Sequence, residues 1–440
     1  MINMNLVSEK SKKIYSFMFS ISFILNGYAS GIPGISLGSV VYFIYLLYSI
    51  VVIIKNNNRF KIGKKACFTA PLVLVFTLFF LSLTTNLFNN NLINSVGKMM
   101  ADMSKLFLWA YTISVTNYIF FDYREVKKYL VNISIILTIY IFIQTISFYT
   151  IRLYLPNIFK FGFIRPYAEG YAAYELLSAG NFIRPASLMS ESAFFGNFVL
   201  CALTLYLFDI GKLVGKNKVI CACFLSLGII LSTSTSAIYF LIFVWGIFLY
   251  KNYKSNTIIF VLFFLVVVLL IFLLNSKIEL FDSEMSDIGE SLKLAVEKPK
   301  YFMTSSRIGK SFNYLRMLDS RQLFFGVGIG NEEAYIESYY SVETIYLNSI
   351  TSLIFWCGLL GVLLVLIFMY SVIYKCKDIG IVILFIMYTV QAFTSGILFS
   401  TYGILFMSII IYKTKYFPLT KKCADGKKYI YSEVILREKK

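Results

Sequence analysis

The stretch IYLNSITSLIFWCGLLGVLLVLIFMYSVIY, from Ile345 to Tyr374, contains no Asp, Glu, Lys or Arg. An α-helix rises about 1.5 Å per residue, so roughly 20 such residues cross the ~30 Å hydrocarbon layer of a bilayer, and this run exceeds that length. Its apolar residues are consecutive rather than alternating. That suits a helix, which satisfies its own backbone groups in lipid, and excludes the short alternating strands of a membrane barrel. Working outward from it, apolar runs recur at about 14–31, 35–54, 66–87, 105–121, 129–149, 191–209, 219–232, 236–250, 257–275, 379–396 and 399–412. The stretches 219–250 and 379–412 each read either as two spans or as one long kinked segment, because only Ser232 to Ser236 and the Ser395-Gly396 region interrupt them.

Composition points the same way. The 440 residues are 58% hydrophobic and 15% charged, with a mean hydropathy of +0.73, which excludes a soluble enzyme of one or two domains. The expected fold is therefore an all-α polytopic integral membrane protein, a single membrane domain over 1–440 with about twelve transmembrane helices and two large outer loops. Histidine is absent, which removes the commonest proton shuttle and every His-dependent triad. Seven cysteines fall in apolar spans or Lys-rich connections and form no CxxC pair, so no external disulfide framework is expected.

A net charge of +18 would suggest nucleic acid on a soluble fold. Here the basic residues sort by side instead. With the N-terminus inside, the termini and the connections near 55–65, 122–128, 210–218, 251–256 and 375–378 hold 27 of the 41 Lys and Arg residues. Cytoplasmic connections carry that excess, so both termini are expected in the cytoplasm, the basic tail 413–440 included, with anionic lipid headgroups and no nucleic acid as the partner of the charge. The first apolar run follows Lys10, Lys12 and Lys13 with no small-residue cleavage site after it, and reads as a retained signal anchor.

Two outer loops are long, 150–190 and 276–342, and together hold Pro156, Pro166, Pro185 and Pro299. Long connections in a compact protein are usually functional, which places the chemistry on the outer face. The first loop contains Phe163-Ile164-Arg165-Pro166 and Phe182-Ile183-Arg184-Pro185. A planar guanidinium binds phosphate oxygens in a two-pronged fashion and stays charged at a membrane surface; the alternative is an interfacial Arg bonded to headgroups or loop carbonyls. Glu191 follows where the chain re-enters the membrane, either as a cap on the next helix or as a partly desolvated general base. In the second loop, Ser305 to Arg316 reads as a helix with Ile308, Phe312, Leu315 and Leu318 on one face and Arg307, Lys310 and Tyr314 away from it, Arg316 pointing elsewhere.

Leu323-Phe324-Phe325-Gly326-Val327-Gly328-Ile329-Gly330-Asn331 has glycines at spacing two, but with no preceding strand or phosphate-loop lysine it reads as a flexible turn rather than a nucleotide site. Asp282-Ser283-Glu284 and Glu332-Glu333 are read as solvated loop acids in preference to a divalent-ion site. No metal or cofactor is expected.

Taken together, these segments resemble the Wzy family of bacterial polysaccharide polymerases, relatives of the O-antigen ligases. The resemblance rests on Arg184-Pro185 running to Glu191-Ser192-Ala193, on Ser306-Arg307 followed by Leu323 to Gly328, and on Tyr346-Leu347-Asn348 leading to Gly358-Leu359-Leu360-Gly361. Where the ligases carry a His this chain reads Ser341-Val342-Glu343-Thr344, and where many relatives have an Arg it has Ser232 to Ser236. The resemblance implies a metal-independent glycosyltransferase of the bacterial cytoplasmic membrane. It would move a glycan from undecaprenyl diphosphate to the sugar end of another lipid-linked repeat unit, with a chain-length regulator protein as partner. It further implies Arg184 and Arg307 on the diphosphate, Arg165, Lys310, Arg316 and Tyr314 as substrate-binding helpers, and Glu191 in acceptor deprotonation or in orienting an Arg. Tyr167, Tyr171, Tyr174, Tyr335, Tyr339 and Tyr340 are placed to stack on sugars or to form an interfacial belt. The competing readings are a lipid-linked oligosaccharide flippase or other transporter, and an O-antigen-type ligase.

Overall fold

A computed structural model of the protein describes residues 7–30, 36–55, 70–88, 96–153, 155–157, 184–210, 216–253, 307–339, 345–374 and 376–416. Among these the chain is helical. The elements are α1 (Glu9–Leu25), α2 (Leu37–Lys55), α3 (Ala70–Phe88), α4 (Val96–Tyr111) continuing through a π turn at Thr112–Thr116 into α5 (Asn117–Phe120), α6 (Tyr123–Ile151), α7 (Ser192–Ile210), α8 (Lys216–Leu231) and α9 (Thr235–Tyr253). After them come α10 (Arg307–Asn313), a 3-10 turn at Tyr314–Met317, α11 (Ser320–Phe325), α12 (Glu332–Glu337), α13 (Ser349–Ile373), α14 (Ile379–Thr394) and α15 (Thr401–Tyr416). The one β feature among the described residues is an isolated bridge between Ala29 and Ser36.

A helix stands at each expected span except 257–275, which lies outside the described residues. Among the described residues five helices are long and apolar enough to cross a membrane: Leu37–Lys55, Tyr123–Ile151, Ser192–Asp209, Ser236–Tyr253 and Ser349–Ile373. Ala70–Asn86, Asn217–Leu231, Ile379–Thr394 and Thr401–Thr414 are apolar and shorter. Both ambiguous stretches resolve into two helices. Ser232–Ser234 breaks the first, with Thr233 at φ 53°, and the turn after Thr394 breaks the second.

The outward faces are greasy in the way lipid requires. Ile44, Leu47, Val51 and Ile54 line one side of α2, Ile136, Ile139, Ile143 and Ile146 one side of α6, and Leu359, Leu363, Leu366 and Tyr370 one side of α13, all of them exposed. Spacings of three and four put each set on one helical stripe. With apolar surroundings, burial of apolar area does little to bring helices together, so close packing and buried hydrogen bonds hold the bundle. Gly196 of α7 shows this directly: a Cβ there would stand 2.5 Å from the Cβ of Ala237, so only glycine lets α7 and α9 approach so closely. In the core the Tyr15 hydroxyl donates to Asn117 Oδ1 at 2.5 Å and Asn117 Nδ2 donates to Ser408 Oγ at 2.6 Å, joining α1, α5 and α15.

The bundle has two chemically different ends. At one, Asp209 at the close of α7 accepts from Lys127 at 2.9 Å, Lys413 at 3.3 Å and the Tyr123 hydroxyl at 2.8 Å, and Lys413 also lies 3.7 Å from Asp378 and over the Tyr123 ring. This clasp gathers the starts of α6 and α14 with the ends of α7 and α15. The opposite ends of those same helices are at Ile151, Ser192, Thr394 and Thr401.

Helix α13, the run that decides the fold, is not continuous. Gly358 has φ 64° and ψ −166° in its interior, which breaks the hydrogen-bond ladder. The Phe355 carbonyl is satisfied instead by Val327 N–H at 2.7 Å and Gly328 N–H at 3.3 Å. Irregular backbone inside an apolar bundle survives only where protein replaces the missing partner, and this loop does so. The approach is backbone to backbone: a Cβ at Gly326 would lie 2.7 Å from Cys357 N, and one at Gly358 would collide with the Phe324 carbonyl. Gly326 (φ 85°), Gly328 (φ 97°) and Gly330 (φ 84°) all adopt conformations that side-chain-bearing residues resist.

The Gly326 to Gly330 segment is thus not the flexible turn that its sequence suggests. It is buried, with Ile329 N–H donating to Ser82 Oγ at 2.7 Å, Thr85 Oγ1 donating to the Phe325 carbonyl at 3.1 Å and Asn331 Nδ2 donating to Asn86 Oδ1 at 2.7 Å. It wedges α13 against α3.

Candidate functional site

Arg184 is half-buried, and Pro185, Ala186 and Ser187 after it are buried. One amide organises the turn. Gln144 of α6 accepts from Ser187 N–H through Oε1 at 3.0 Å, while its Nε2 donates to Asn157 Oδ1 at 2.9 Å and the Leu155 carbonyl at 3.2 Å. Ser187 Oγ donates to the Leu137 carbonyl at 2.8 Å, and Ser187 itself holds φ 56°. A left-handed serine costs conformational energy that these bonds offset, so Arg184 and Glu191 are carried on a fixed strap rather than a loose loop.

Glu191 stands at the start of α7, where its carbonyl accepts the first helical bond, from Phe195 N–H at 3.2 Å. Its carboxylate lies near enough to Tyr402 for the negative charge to act on that phenol. Tyr402, at the start of α15, is buried beneath Phe194, whose ring stacks on it at 4.5 Å and 12°, and against Phe23 at 5.0 Å. Glu191 therefore sits at the meeting of two helix N-termini, where partial positive charge favours a carboxylate.

The second cluster is held to the same end. Ser311 of α10, fully buried, accepts from Asn348 N–H at 2.9 Å and donates to Thr351 Oγ1 at 3.0 Å, while Asn348 Oδ1 caps α13 by accepting from Thr351 N–H at 2.8 Å. The start of α13 is tied in turn to the end of α14. Ser349 Oγ donates to the Ser395 carbonyl at 2.8 Å, and the Tyr346 hydroxyl to the Thr394 carbonyl at 2.7 Å. One turn down, Gln391 Nε2 donates to Asn197 Oδ1 of α7 at 2.6 Å. A chain of buried and partly buried polar contacts thus runs from the helix that Glu191 starts to the helix that Arg307 starts.

The expected residues fall unequally. Arg184, Glu191 and the helix beginning at Arg307 share this end of the bundle; of Arg307 only the backbone is described. Lys310 and Arg316 are exposed. Tyr314 does not share a solvent face with Lys310 as the helical reading has it. The helix ends at Asn313, the next residues tighten into a 3-10 turn, and Tyr314 packs in with Val327, Tyr335, Ile336 and Phe355. Arg165, Tyr167, Tyr171, Tyr174, Asp282, Glu284 and the Ser341 to Thr344 stretch lie outside the described residues.

Glu332 and Glu333 are not simply solvated acids. Both close on Lys98, at 3.2 and 2.6 Å, and Glu332 is buried and accepts from Gly330 N–H at 3.0 Å. Burial pushes the Glu332 carboxyl up from its ordinary range against the opposing pull of Lys98. The pair fastens the glycine segment to α4.

Sequence reasoning missed the residues that build this end: Gln144, Ser187, Asn197, Gln391, Ser311 and Tyr402. Three of them were detectable. Amides are rare inside apolar spans and usually face the bundle interior, and Gln144, Asn197 and Gln391 each interrupt an apolar run. No protein-family model matches the chain, and no curated protein matches it.

Proposed function

We propose that the protein is a polysaccharide polymerase of the bacterial cytoplasmic membrane. It has about twelve spans and cytoplasmic termini, and it transfers a glycan from undecaprenyl diphosphate to the sugar end of another lipid-linked repeat unit at the outer face. The observation that carries this reading is the strap from Arg184 to Glu191, locked to Gln144 and brought to the same end of the bundle as the helix beginning at Arg307. It puts a cation and a carboxylate on rigid supports, which is the form a charge-stabilising site needs.

Diphosphate is a good leaving group, so the demand on the protein is mainly to hold its departing charge. Arg184 and Arg307 serve that role, with Arg165, Lys310 and Arg316 adding positive field. Glu191 takes the proton from the attacking sugar hydroxyl as the new glycosidic bond forms, and the electron pair of the breaking bond leaves on the diphosphate oxygen. The positive charge on the opposite side, and in the tail, addresses anionic lipid headgroups.

The choice between polymerase and flippase is settled by where the lipid-linked intermediate stops. In cells lacking the gene, high-mass polymer disappears and single lipid-linked repeat units accumulate in the outer leaflet, open to an added glycosidase in protoplasts whose membrane is intact. Accumulation on the inner leaflet, protected from the glycosidase, would make the protein a transporter.

A further inference from the structure

Tyrosines buried in this bundle spend their hydroxyls inside the protein: Tyr15 donates to Asn117, Tyr42 pairs with Ser22, Tyr123 donates to Asp209 and Tyr388 to the Leu398 carbonyl. A buried phenol normally finds such a partner, because a hydrogen bond left unmade away from water costs stability. Tyr402 departs from this pattern. It is 5% exposed, yet its hydroxyl makes no hydrogen bond to any of the described residues. The hydroxyl of Thr401, the residue before it, is buried and also lacks a partner among the described residues.

Packing fixes where this phenol stands. Phe194 comes three positions, about one turn, after Glu191; its ring stacks on Tyr402 at 4.5 Å, and Phe23 meets Tyr402 edge-on at 5.0 Å. Tyr402 is the second residue of α15, and side chains on a helix lean toward its N-terminus. The hydroxyl is therefore carried toward the end of the bundle where Glu191 precedes α7. The Glu191 carboxylate is close enough for its charge to act on the phenol, and no hydrogen bond joins the two. A carboxylate and a hydroxyl so placed are free to share a third polar group.

Charge selects that group. A second anion is repelled by Glu191, and Tyr402 and Thr401 offer hydroxyls rather than charge. What fits is a neutral group that both donates and accepts, as the hydroxyl of a sugar does.

Building on the polymerase reading, we propose that Tyr402 is a further contact to the acceptor sugar, its hydroxyl holding the attacking sugar hydroxyl beside Glu191. The sugar oxygen bonds to the anomeric carbon as its proton passes to Glu191, and the bond to the diphosphate oxygen breaks with its electron pair leaving on that oxygen. Tyr402 keeps its own proton throughout.

Tyr402→Phe in the full-length protein removes only the phenol oxygen and keeps the ring in its stack. In detergent without substrate the variant unfolds at the wild-type temperature or above it, since no internal bond is lost. In proteoliposomes supplied with lipid-linked repeat units, the concentration that gives half-maximal polymerisation rises about tenfold, the loss of one hydrogen bond to the acceptor. Free undecaprenyl diphosphate, which the arginines hold, inhibits at an unchanged concentration. A variant that unfolds several degrees lower overturns the proposal, because the hydroxyl is then spent inside the protein. An unchanged half-maximal concentration overturns it by leaving the hydroxyl a trapped water only. Equal weakening toward repeat units and undecaprenyl diphosphate overturns it as a general distortion of the site. All three outcomes leave the polymerase reading standing, whereas wild-type protein that forms no polymer overturns that reading and this proposal with it.

Discussion

Glu191→Gln lowers polymer formation by about 10² to 10⁴ fold while the protein still inserts and folds, if Glu191 is the base that deprotonates the acceptor sugar. Gln preserves the shape of the side chain and one oxygen able to accept at the helix start, but it has no useful proton affinity. The surroundings make the comparison clean. Glu191 supplies the first carbonyl of α7 through its backbone, which Gln keeps, and Phe194 and Phe23 pack their rings on Tyr402 beside it. If the residue only caps the helix, Gln is nearly silent and Ala costs about 1 kcal/mol of stability. Membrane yield and thermal unfolding in detergent, measured beside the polymer ladder, separate these outcomes.

The second large effect is on charge. Arg184→Ala and Arg307→Ala each remove a cation assigned to the diphosphate, and the loss of one charge-assisted contact to a buried diphosphate costs about 3 kcal/mol, roughly a hundredfold in rate. Lysine at either position restores only part of it, because an ammonium reproduces the charge and not the fork. Beyond Arg184 the strap is held by the bonds of Ser187 to Gln144 and Leu137, which the alanine variant keeps. Unchanged polymer amount and length in both variants would remove these residues from the site.

The helices were legible because the signal for a membrane helix is length and apolarity, which Ile345 to Tyr374 carries without reference to the remainder of the chain. The break at Gly358 was not. Its cause is a backbone crossing with Gly326, thirty-two positions earlier, and neither glycine alone distinguishes a crossing from a turn. Tyr314 shows a related limit. A helical wheel carried past Asn313 assumes 100° per residue, whereas the chain tightens toward the ~120° of a 3-10 turn and buries the ring beside Phe355. At the site, Arg184 and Glu191 announced themselves by charge beside apolar spans. The groups that fix them, Ser187 and Gln144, are neutral and forty-three positions apart, and only tertiary structure brings them together.

We propose that this one protein polymerises lipid-linked repeat units with arginines, not a metal ion, holding the diphosphate. The most direct test of that proposal is to incubate the purified protein in proteoliposomes with undecaprenyl-diphosphate-linked repeat units and EDTA, and to resolve the products by size. A ladder of multiples of the repeat, with free undecaprenyl diphosphate released in step, is the predicted result. Repeat units that stay single, or a ladder that EDTA abolishes and Mg²⁺ or Mn²⁺ restores, would contradict it.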